Sequence, residues 1–313
     1  MPIPTFKRCA SAKALQQPAA SRRRLDLREA MKLAASAFRV GPILKNYAAP
    51  EQLLAQGATL VNDLPFLAAS RVDALIQHYP EIGKLLPALA DALSRNSGYA
   101  PEDVFDLSTF SADDRRLLLQ LLGEGEVTGT VALPDGIVAE IQATALAGLW
   151  HIRFMTPAGQ TLVDYLEAGP IPAVVEQAAA ATPAEIQSCE TSSCASGLAP
   201  VLAEIRYHVA IHVRGALPFR MEVGPMAPQD RTLLRDILGT GTVELRVQLF
   251  SDGLEACRIA STGVSDVWSV QFFDAMNQLA RDTLEIGDVP DLARADPADF
   301  KASAARLHVM GAV

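Results

Sequence analysis

The chain has 313 residues, of which half are apolar and a fifth are charged. This balance is typical of globular proteins and excludes disordered, collagen-like and disulfide-framework chains. No apolar stretch reaches the roughly 18–20 residues that a bilayer crossing requires, so the sequence predicts a soluble protein without a membrane span. The length leaves room for about two domains.

The formal net charge of −9 is unevenly distributed. Residues 1–50 carry ten Lys and Arg against only Asp26 and Glu29, so the rest of the chain is strongly acidic. Because nucleic-acid binding needs a positive face, this acidic body argues against nucleic acid as the main ligand. Residues 21–25, SRRRL, superficially resemble a twin-arginine export signal, but charged residues follow where such a signal has an apolar core. Four cysteines are too few for a disulfide scaffold and fit a reducing cytoplasm.

The first hundred residues are predicted to contain a basic lead-in, residues 1–24, followed by a helical region, residues 25–100. Apolar residues recur there with a period near 3.6, as expected for amphipathic helices. Near its end, a stripe that we expect to be buried consists of Leu85, Leu86, Leu89 and Leu93.

An internal repeat occupies most of the remaining chain. The matching segments are 114–127 with 230–243, 135–136 with 252–253, 150–154 with 268–272, and 166–172 with 284–290. Such self-similarity indicates a duplicated domain. The predicted boundaries are 101–175 for the first repeat, 176–197 for a linker rich in small residues, and 198–313 for the second repeat. A helix near residues 198–213 is expected to correspond to the one that ends near Ser94, before the first copy.

Each repeat is predicted to be an α-β-β-β-α unit, with a small antiparallel sheet and packed helices, in the α+β class. The opening helices are expected to end at Gly123 and Gly239, since glycine suits a left-handed helix terminus. Asp135 and Gly136 are typical of a tight hairpin turn. The third strand contains Trp150 or Trp268, and a closing helix is predicted before each Gly-x-x-Pro segment.

Histidine and cysteine pairs offer weak metal signals. His208 and His212 are four residues apart on a predicted helix, but no further ligand completes a set, so an amphipathic helix is the favoured interpretation. Cys189 and Cys194 lie in a segment of small residues. They could form a reversible disulfide or half of a metal site, although four ligands are usual for structural zinc or an iron–sulfur centre. No cofactor is predicted.

The two copies differ most where the second contains Arg258. Aligned by eye, 139–141 of the first copy match 256–258 of the second, which places Arg258 at the position of Ile141. The two tryptophans are interpreted as equivalent core residues. Arg258, Gln271 and Phe273 have no such structural explanation, and Arg and aromatic side chains often anchor protein interfaces.

The second copy resembles the HupH/HyaF/HoxQ-type accessory proteins of nickel–iron hydrogenase maturation. The likeness lies in the segments CRIASTG at 257–263, VWSVQFF at 267–273 and DTLEI at 282–286. LGEGEV at 122–127 and GLW at 148–150 resemble the same family in the first copy. Ser269 departs from the family pattern, which has a second aromatic residue there, and residues 1–100 do not resemble its short start.

The resemblance implies a non-catalytic chaperone in the cytoplasm. Its expected client is the immature hydrogenase small-subunit precursor, held while its iron–sulfur clusters are completed and before twin-arginine export. A thioredoxin-like hydrogenase accessory protein is the expected second partner. Arg258, Thr262, Gln271 and Phe273 are the residues that we expect to form part of the partner-binding surface.

Two other functions stay open. The chain could be a redox or iron–sulfur carrier that uses Cys189, Cys194 and Cys257, in which case it would hold iron after anaerobic purification. It could also be an enzyme with a site between the repeats, which a deep pocket containing a strongly shifted carboxylate or histidine would support.

Overall fold

The computed structural model describes residues 78–96, 103–182, 186, 198–248 and 255–311. The predicted lead-in, the helical region up to residue 77, and Cys9, Cys189 and Cys194 lie outside these ranges. So does the expected hairpin turn at Asp252 and Gly253.

Six helices are present in the described part of the chain. They are α1 (Pro80–Arg95), α2 (Ala112–Leu122), α3 (Ala173–Ala180), α4 (Leu198–Ile211), α5 (Pro228–Leu238) and α6 (Pro297–Gly311). The helix expected to end near Ser94 and the helix expected near 198–213 are confirmed as α1 and α4. Helix α3 extends into the segment that was predicted to be linker. None of these described helices has the length and apolar character needed to cross a bilayer.

The described ranges also contain ten strands, which form one sheet in which every neighbouring pair is antiparallel. They are β1 (Asp103–Asp106), β2 (Glu124–Ala132), β3 (Val138–Thr144), β4 (Leu149–Met155), β5 (Thr161–Ala168), β6 (Phe219–Glu222), β7 (Thr240–Gln248), β8 (Glu255–Thr262), β9 (Val267–Phe273) and β10 (Leu279–Ile286). The strand order is β1-β5-β4-β3-β2-β7-β8-β9-β10-β6. The α+β class is therefore confirmed. The expectation of separate small sheets is wrong, because β2 pairs with β7 and joins them.

The predicted closing helices are also wrong, since both segments are strands, β5 and β10. Each strand follows a tight turn from the tryptophan strand. In the first turn the Thr156 amide donates to the Gln160 carbonyl at 2.9 Å, and in the second the Asp274 amide donates to the Gln278 carbonyl at 2.9 Å. Asn277 in the second turn adopts a φ of 57°. These turns reverse the chain, and the segments after them therefore pair with β4 and β9.

The starts and ends of α2 and α5 follow the local sequence. Ser111 and Asp114 form a reciprocal capping box at the start of α2. Gly123 and Gly239 end the two helices with φ values of 67° and 68°, as predicted. Asp135 and Gly136 both have positive φ in the β2–β3 turn, as also predicted.

One face of the sheet, here called the core face, carries the central hydrophobic cluster. Its side chains alternate along the strands and include Trp150, Ile152, Leu245, Ile259 and Trp268. Helix α3 and a short 3₁₀ turn, Asp291–Ala293, pack against this face. Both indole Nε1 atoms donate to carbonyls, of Gly169 at 2.9 Å and of Gly287 at 3.2 Å. The interpretation of the tryptophans as equivalent core residues is confirmed.

Among the described residues, helices cover the opposite face, here called the open face, only towards its two ends. Helices α1, α2 and α6 form one hydrophobic cluster with β4 and β5, through residues such as Leu149 and Leu166. Helices α4 and α5 form another with β9 and β10, through Val267 and Leu284. Between the clusters the open face is polar. The fold thus leaves a strip of β-sheet in which residues from both halves of the chain lie side by side.

Candidate functional site

A shallow cavity of about 380 Å³ lies in the middle of the open face, across the junction of β2 and β7. The polar side chains that line it are Thr128, Thr130, Glu140, Gln142, His151 and Arg153 from the first half, and Glu244 and Arg246 from the second. These residues alternate with core-face residues along their strands, so the pleat directs them all to one side. The strands β2, β3, β4 and β7 therefore supply a polar floor.

Glu140 and Arg153 form an ion pair on the first half of this floor. They are directly opposite on β3 and β4, and Arg153 Nη2 donates to Glu140 Oε2 at 2.7 Å. Both side chains are nearly half exposed, at 43% and 46%. Such a pair contributes little to stability and leaves both charged groups accessible to a partner.

His151, Asp164 and Arg115 form a more buried group next to this pair. His151 Nε2 lies 2.7 Å from Asp164 Oδ1, and Arg115 Nη1 donates to Asp164 Oδ2 at 3.3 Å. Burial acts to raise the pKa of Asp164, but the hydrogen bond from His151 and the charges of His151 and Arg115 outweigh it and lower that pKa. The ionised Asp164 therefore links α2 to β5 and holds the His151 ring at the edge of the cavity.

On the second half of the floor, Arg246 and Arg258 are directly opposite each other on β7 and β8. Glu244 lies beside them. Its Oε1 accepts a hydrogen bond from Arg246 Nη2 at 2.9 Å and lies 4.0 Å from Arg258 Nε. Two guanidinium groups and one carboxylate thus lie together on this half of the floor and present hydrogen-bonding groups of both charges.

Three of the four residues predicted to bind a partner lie together on the open face. Arg258 is directly opposite Gln271 on β9. Its Cζ lies 5.4 Å from the centroid of the Phe273 ring, in the range of a cation–π contact. The three side chains therefore continue the floor from Arg246 towards β10.

Thr262, the fourth predicted residue, is separated from the other three. Its side chain is buried, and Oγ1 donates to the Val264 carbonyl at 3.1 Å and accepts from the Val264 amide at 3.2 Å. Thr144 makes the same two bonds with Leu146 in the first half. Thr262 thus stabilises a turn that occurs in both halves.

The register of the strands corrects the alignment made by eye. Ala143 pairs with Trp150, and Ser261 pairs with Trp268, which makes Ala143 and Ser261 equivalent. Arg258 lies three residues before Ser261, and Glu140 lies three residues before Ala143. Arg258 therefore corresponds to Glu140 and not to Ile141. The polar pair Arg258–Gln271 therefore occupies the position of the ion pair Glu140–Arg153. Most of this floor was not predicted from the sequence, where its signal was the alternation of polar and apolar residues along the strands.

Of the histidine and cysteine candidates, the structure describes His208, His212 and Cys257, and these three lie away from the open-face floor. The His208 ring stacks on Phe219 with centroids 3.6 Å apart, and His212 Nε2 lies 3.2 Å from Asp288 Oδ1. Cys257 is buried in the core-face cluster. Within the described ranges no three His, Cys, Asp or Glu side chains are grouped so as to hold a metal ion.

Comparison with known proteins identifies relatives that match most of the chain. The family model "HupH hydrogenase expression protein, C-terminal conserved region" matches twice, at residues 83–192 and 197–313. Hydrogenase expression/formation protein HupH from Rhizobium leguminosarum bv. viciae is 42% identical over 247 residues, which are 78% of this chain and 86% of that protein. Hydrogenase expression/formation protein HoxQ from Azotobacter vinelandii is 34% identical over 72% of this chain and 78% of its own length.

Two further relatives carry similar names. Hydrogenase-1 operon protein HyaF from Escherichia coli K12 is 30% identical over 79% of this chain and 85% of its own. The solved structure of hydrogenase expression protein HupH from Thiobacillus denitrificans ATCC 25259 is 26% identical, covers 36% of this chain and 91% of its own, and superposes with a TM-score of 0.31. The two family matches together span more than half of the chain. The chain therefore belongs to the HupH family of hydrogenase expression proteins.

Proposed function

We propose that this protein is a non-catalytic maturation chaperone that binds the immature small subunit of a nickel–iron hydrogenase in the cytoplasm, on the open face. The observation that carries the proposal is the polar floor to which both halves of the chain contribute. Relatives named as hydrogenase expression/formation proteins support an accessory role. The family resemblance suggests the small-subunit precursor as client, during assembly of its iron–sulfur clusters, and a thioredoxin-like accessory protein as second partner.

The dimensions of the floor favour a folded or helical part of the client. The floor takes side chains from six adjacent strands, in the order β4-β3-β2-β7-β8-β9, and a spacing of about 4.8 Å between strands gives a width of roughly 25 Å. That is wider than one extended segment requires. The floor is polar, so we expect charged and hydrogen-bonding groups of the client to contact it.

We also infer that the two halves arose by duplication of one unit, which supports a shared site at their junction. The strand order read outward from β2 and from β7 is the same, and the same family model matches each half. The first half carries Glu140–Arg153 where the second carries Arg258–Gln271. Divergence of the open face with retention of both tryptophans is consistent with selection for binding on this face.

The test is co-purification with a hydrogenase small-subunit precursor whose export signal is either intact or deleted. Arg258→Glu is the variant, since it reverses a charge in the middle of the second-half floor. Lys301→Glu is the matched control, because it makes the same charge change on an exposed residue of α6, outside the polar floor.

We expect the wild type and Lys301→Glu to capture the precursor and Arg258→Glu to capture much less. Capture of only the intact form would identify the export signal as a contact, and capture of both forms would identify the mature subunit. Failure of the wild type to capture either form would overturn the proposed client. Equal capture by Arg258→Glu would remove the open face from the proposal.

A further inference from the structure

The two halves of the floor are related by a local two-fold axis at the β2–β7 junction. The sequence repeat makes Thr128 equivalent to Glu244 and Thr130 equivalent to Arg246. The strand pairing is symmetric, because Thr128 lies opposite Arg246 and Thr130 lies opposite Glu244. The strands follow in the same order on each side, with β3 and β4 beside β2, and β8 and β9 beside β7. Half a turn about this axis therefore moves each floor position onto its equivalent in the other half.

The floor has lost this symmetry, whereas the core face has kept much of it. Identical residues occupy five equivalent positions of the core face, which are 127/243, 131/247, 141/259, 150/268 and 154/272. On the same strands, six equivalent floor positions all carry different residues, and these are 128/244, 130/246, 140/258, 142/260, 151/269 and 153/271. Close packing of the core accounts for the retained residues. The two halves of the floor therefore differ in the groups that they present to a partner.

The largest of these differences is a reversal of charge. Glu140 on β3 is equivalent to Arg258 on β8, and both side chains are partly exposed, at 43% and 40%. Arg153, the ion-pair partner of Glu140, is equivalent to the neutral Gln271. The first half therefore has a carboxylate one strand from the junction, where the second half has a guanidinium group. A partner rotated by half a turn on the floor would meet the opposite charge at each of these two positions.

We propose that this reversal of charge fixes the orientation in which the hydrogenase small subunit binds the floor. The contacting surface of the client carries a basic group above Glu140 and an acidic group above Arg258. In this orientation the charges are complementary, whereas the rotated client brings like charges together, which lowers its affinity and selects against that orientation. The inference rests on the proposed function, because it specifies how the same client contacts the same floor.

The distance between the two charged positions indicates what kind of client surface can contact both. Strands β3 and β8 are three strand spacings apart, which is about 14 Å. About ten residues of helix span this distance, and a single side chain does not. The client therefore contacts the floor through a helix or another ordered element that holds its basic and acidic groups at a fixed separation.

The test is an exchange of the two cross-strand pairs between the halves. The variant combines Glu140→Arg and Arg153→Gln with Arg258→Glu and Gln271→Arg. Its net charge equals that of the wild type, and each half receives a pair that already occupies the equivalent strands of the other half. The exchange is therefore compatible with the fold and reverses only the direction of the charges across the floor.

The matched control moves a different exposed ion pair between the halves. Arg116 and Asp113 form this pair on α2, and the equivalent residues on α5 are Thr232 and Gln229. The control combines Asp113→Gln and Arg116→Thr with Gln229→Asp and Thr232→Arg, which also leaves the net charge unchanged. These positions lie outside the floor, so the control measures what four exposed substitutions do by themselves.

The dissociation constant of the small-subunit precursor is measured for the wild type, the exchange variant and the control, each as the full chain. We expect the wild type and the control to bind with similar affinity, and the exchange variant to bind at least about tenfold more weakly. Equal binding by the exchange variant would overturn the inference and leave the proposed function in place. Absence of binding by the wild type would overturn both.

Photo-cross-linking tests the orientation directly and does not depend on the stability of the exchange variant. Benzoylphenylalanine replaces Gln142 in one protein and the equivalent Ala260 in another, and all other residues stay as in the wild type. We expect the two proteins to cross-link to different peptides of the precursor, since each position faces a different part of an oriented client. The same set of peptides from both positions would show that the client binds in two orientations and would overturn the inference.

Discussion

Gly129 of β2 lies directly opposite Leu245 of β7, at the seam where the two halves of the sheet meet. A Cβ atom on Gly129 would lie 2.5 Å from Leu245 Cδ2 and 2.6 Å from the Glu244 carbonyl oxygen. The flanking pairs are matched valines, Val127 with Val247 and Val131 with Val243, so Gly129 makes the space that Leu245 fills. The polar floor depends on this seam, because the first half of the floor adjoins the second half where β2 pairs with β7.

Gly129→Ala is expected to destabilise the protein by about 1–3 kcal/mol, because the added methyl group overpacks a seam that has backbone on the other side. The measurement is the free energy of unfolding from urea denaturation. Gly224→Ala is the control, since a Cβ atom there meets nothing within 4 Å, and it should leave the stability nearly unchanged. Equal stability of the two variants would contradict the account of the seam.

A second prediction concerns the threonines that stabilise the two equivalent turns. Thr144→Val and Thr262→Val should each cost about 1–3 kcal/mol, because the amides of Leu146 and Val264 lose a buried acceptor. Thr→Ser at either position keeps the hydroxyl and should cost much less. Thermal melting of the four variants provides the measurement.

The same variants decide whether Thr262 belongs to the binding surface. Thr262→Ser is expected to capture the small-subunit precursor as well as the wild type does, because the side chain is buried and its hydroxyl bonds stay within its own turn. Loss of capture by a stable Thr262→Ser would show that the residue acts on the partner after all.

The features that the sequence predicted correctly are those with a local cause. Gly123 and Gly239 end helices, and Asp135 and Gly136 form a turn, because each needs a backbone conformation that few residues adopt. Trp150 and Trp268 are buried because large apolar side chains that alternate with polar ones along a strand face the core. Each of these statements follows from a few neighbouring residues.

The features that the sequence analysis missed need information beyond one segment. Leu162, Val163 and Leu166 fit a helical stripe as well as a strand, and only the turn before them distinguishes the two. The pairing of β2 with β7 joins residues more than a hundred positions apart, for which no local signal exists. The floor was not predicted, because polar residues at every second position of a strand are also typical of an ordinary solvent-facing side of a sheet.

Arg153→Gln tests whether the first half of the floor binds the client. The ion pair with Glu140 is nearly half exposed, so its loss should change the free energy of unfolding by less than about 1 kcal/mol. Capture of the precursor should nevertheless fall, because a charged group of the floor is removed. Arg116→Gln is the matched control, since Arg116 forms an exposed ion pair with Asp113 on α2. A fall in capture that is the same for both variants would argue against a specific role of the floor.

The buried carboxyl of Glu167 leads to a prediction of how the free energy of unfolding depends on pH. Burial, together with the charge of Glu176, raises the pKa of Glu167 to about 7, although the Ala173 amide donates to its carboxylate at 2.7 Å. Its ordinary value is 4.5, so between pH 4.5 and 7 the folded state holds a proton that the unfolded state has lost. The contribution of Glu167 to stability is therefore complete below about pH 4.5, falls as the pH rises to about 7, and changes little above that.

Glu167→Gln should remove this dependence, since an amide stays neutral and its oxygen can still accept from Ala173. The variant is expected to gain stability relative to the wild type between pH 5 and pH 8, by at most about 3 kcal/mol.

Glu285, the equivalent residue in the second half, accepts a hydrogen bond from Arg220 at 2.8 Å and is buried. Glu285→Gln should therefore lose stability at pH 8, because it breaks an ion pair whose carboxylate is buried. Urea denaturation of the wild type and both variants at the two pH values measures these changes, and a loss of stability by Glu167→Gln at pH 8 would contradict a buried Glu167 with a raised pKa.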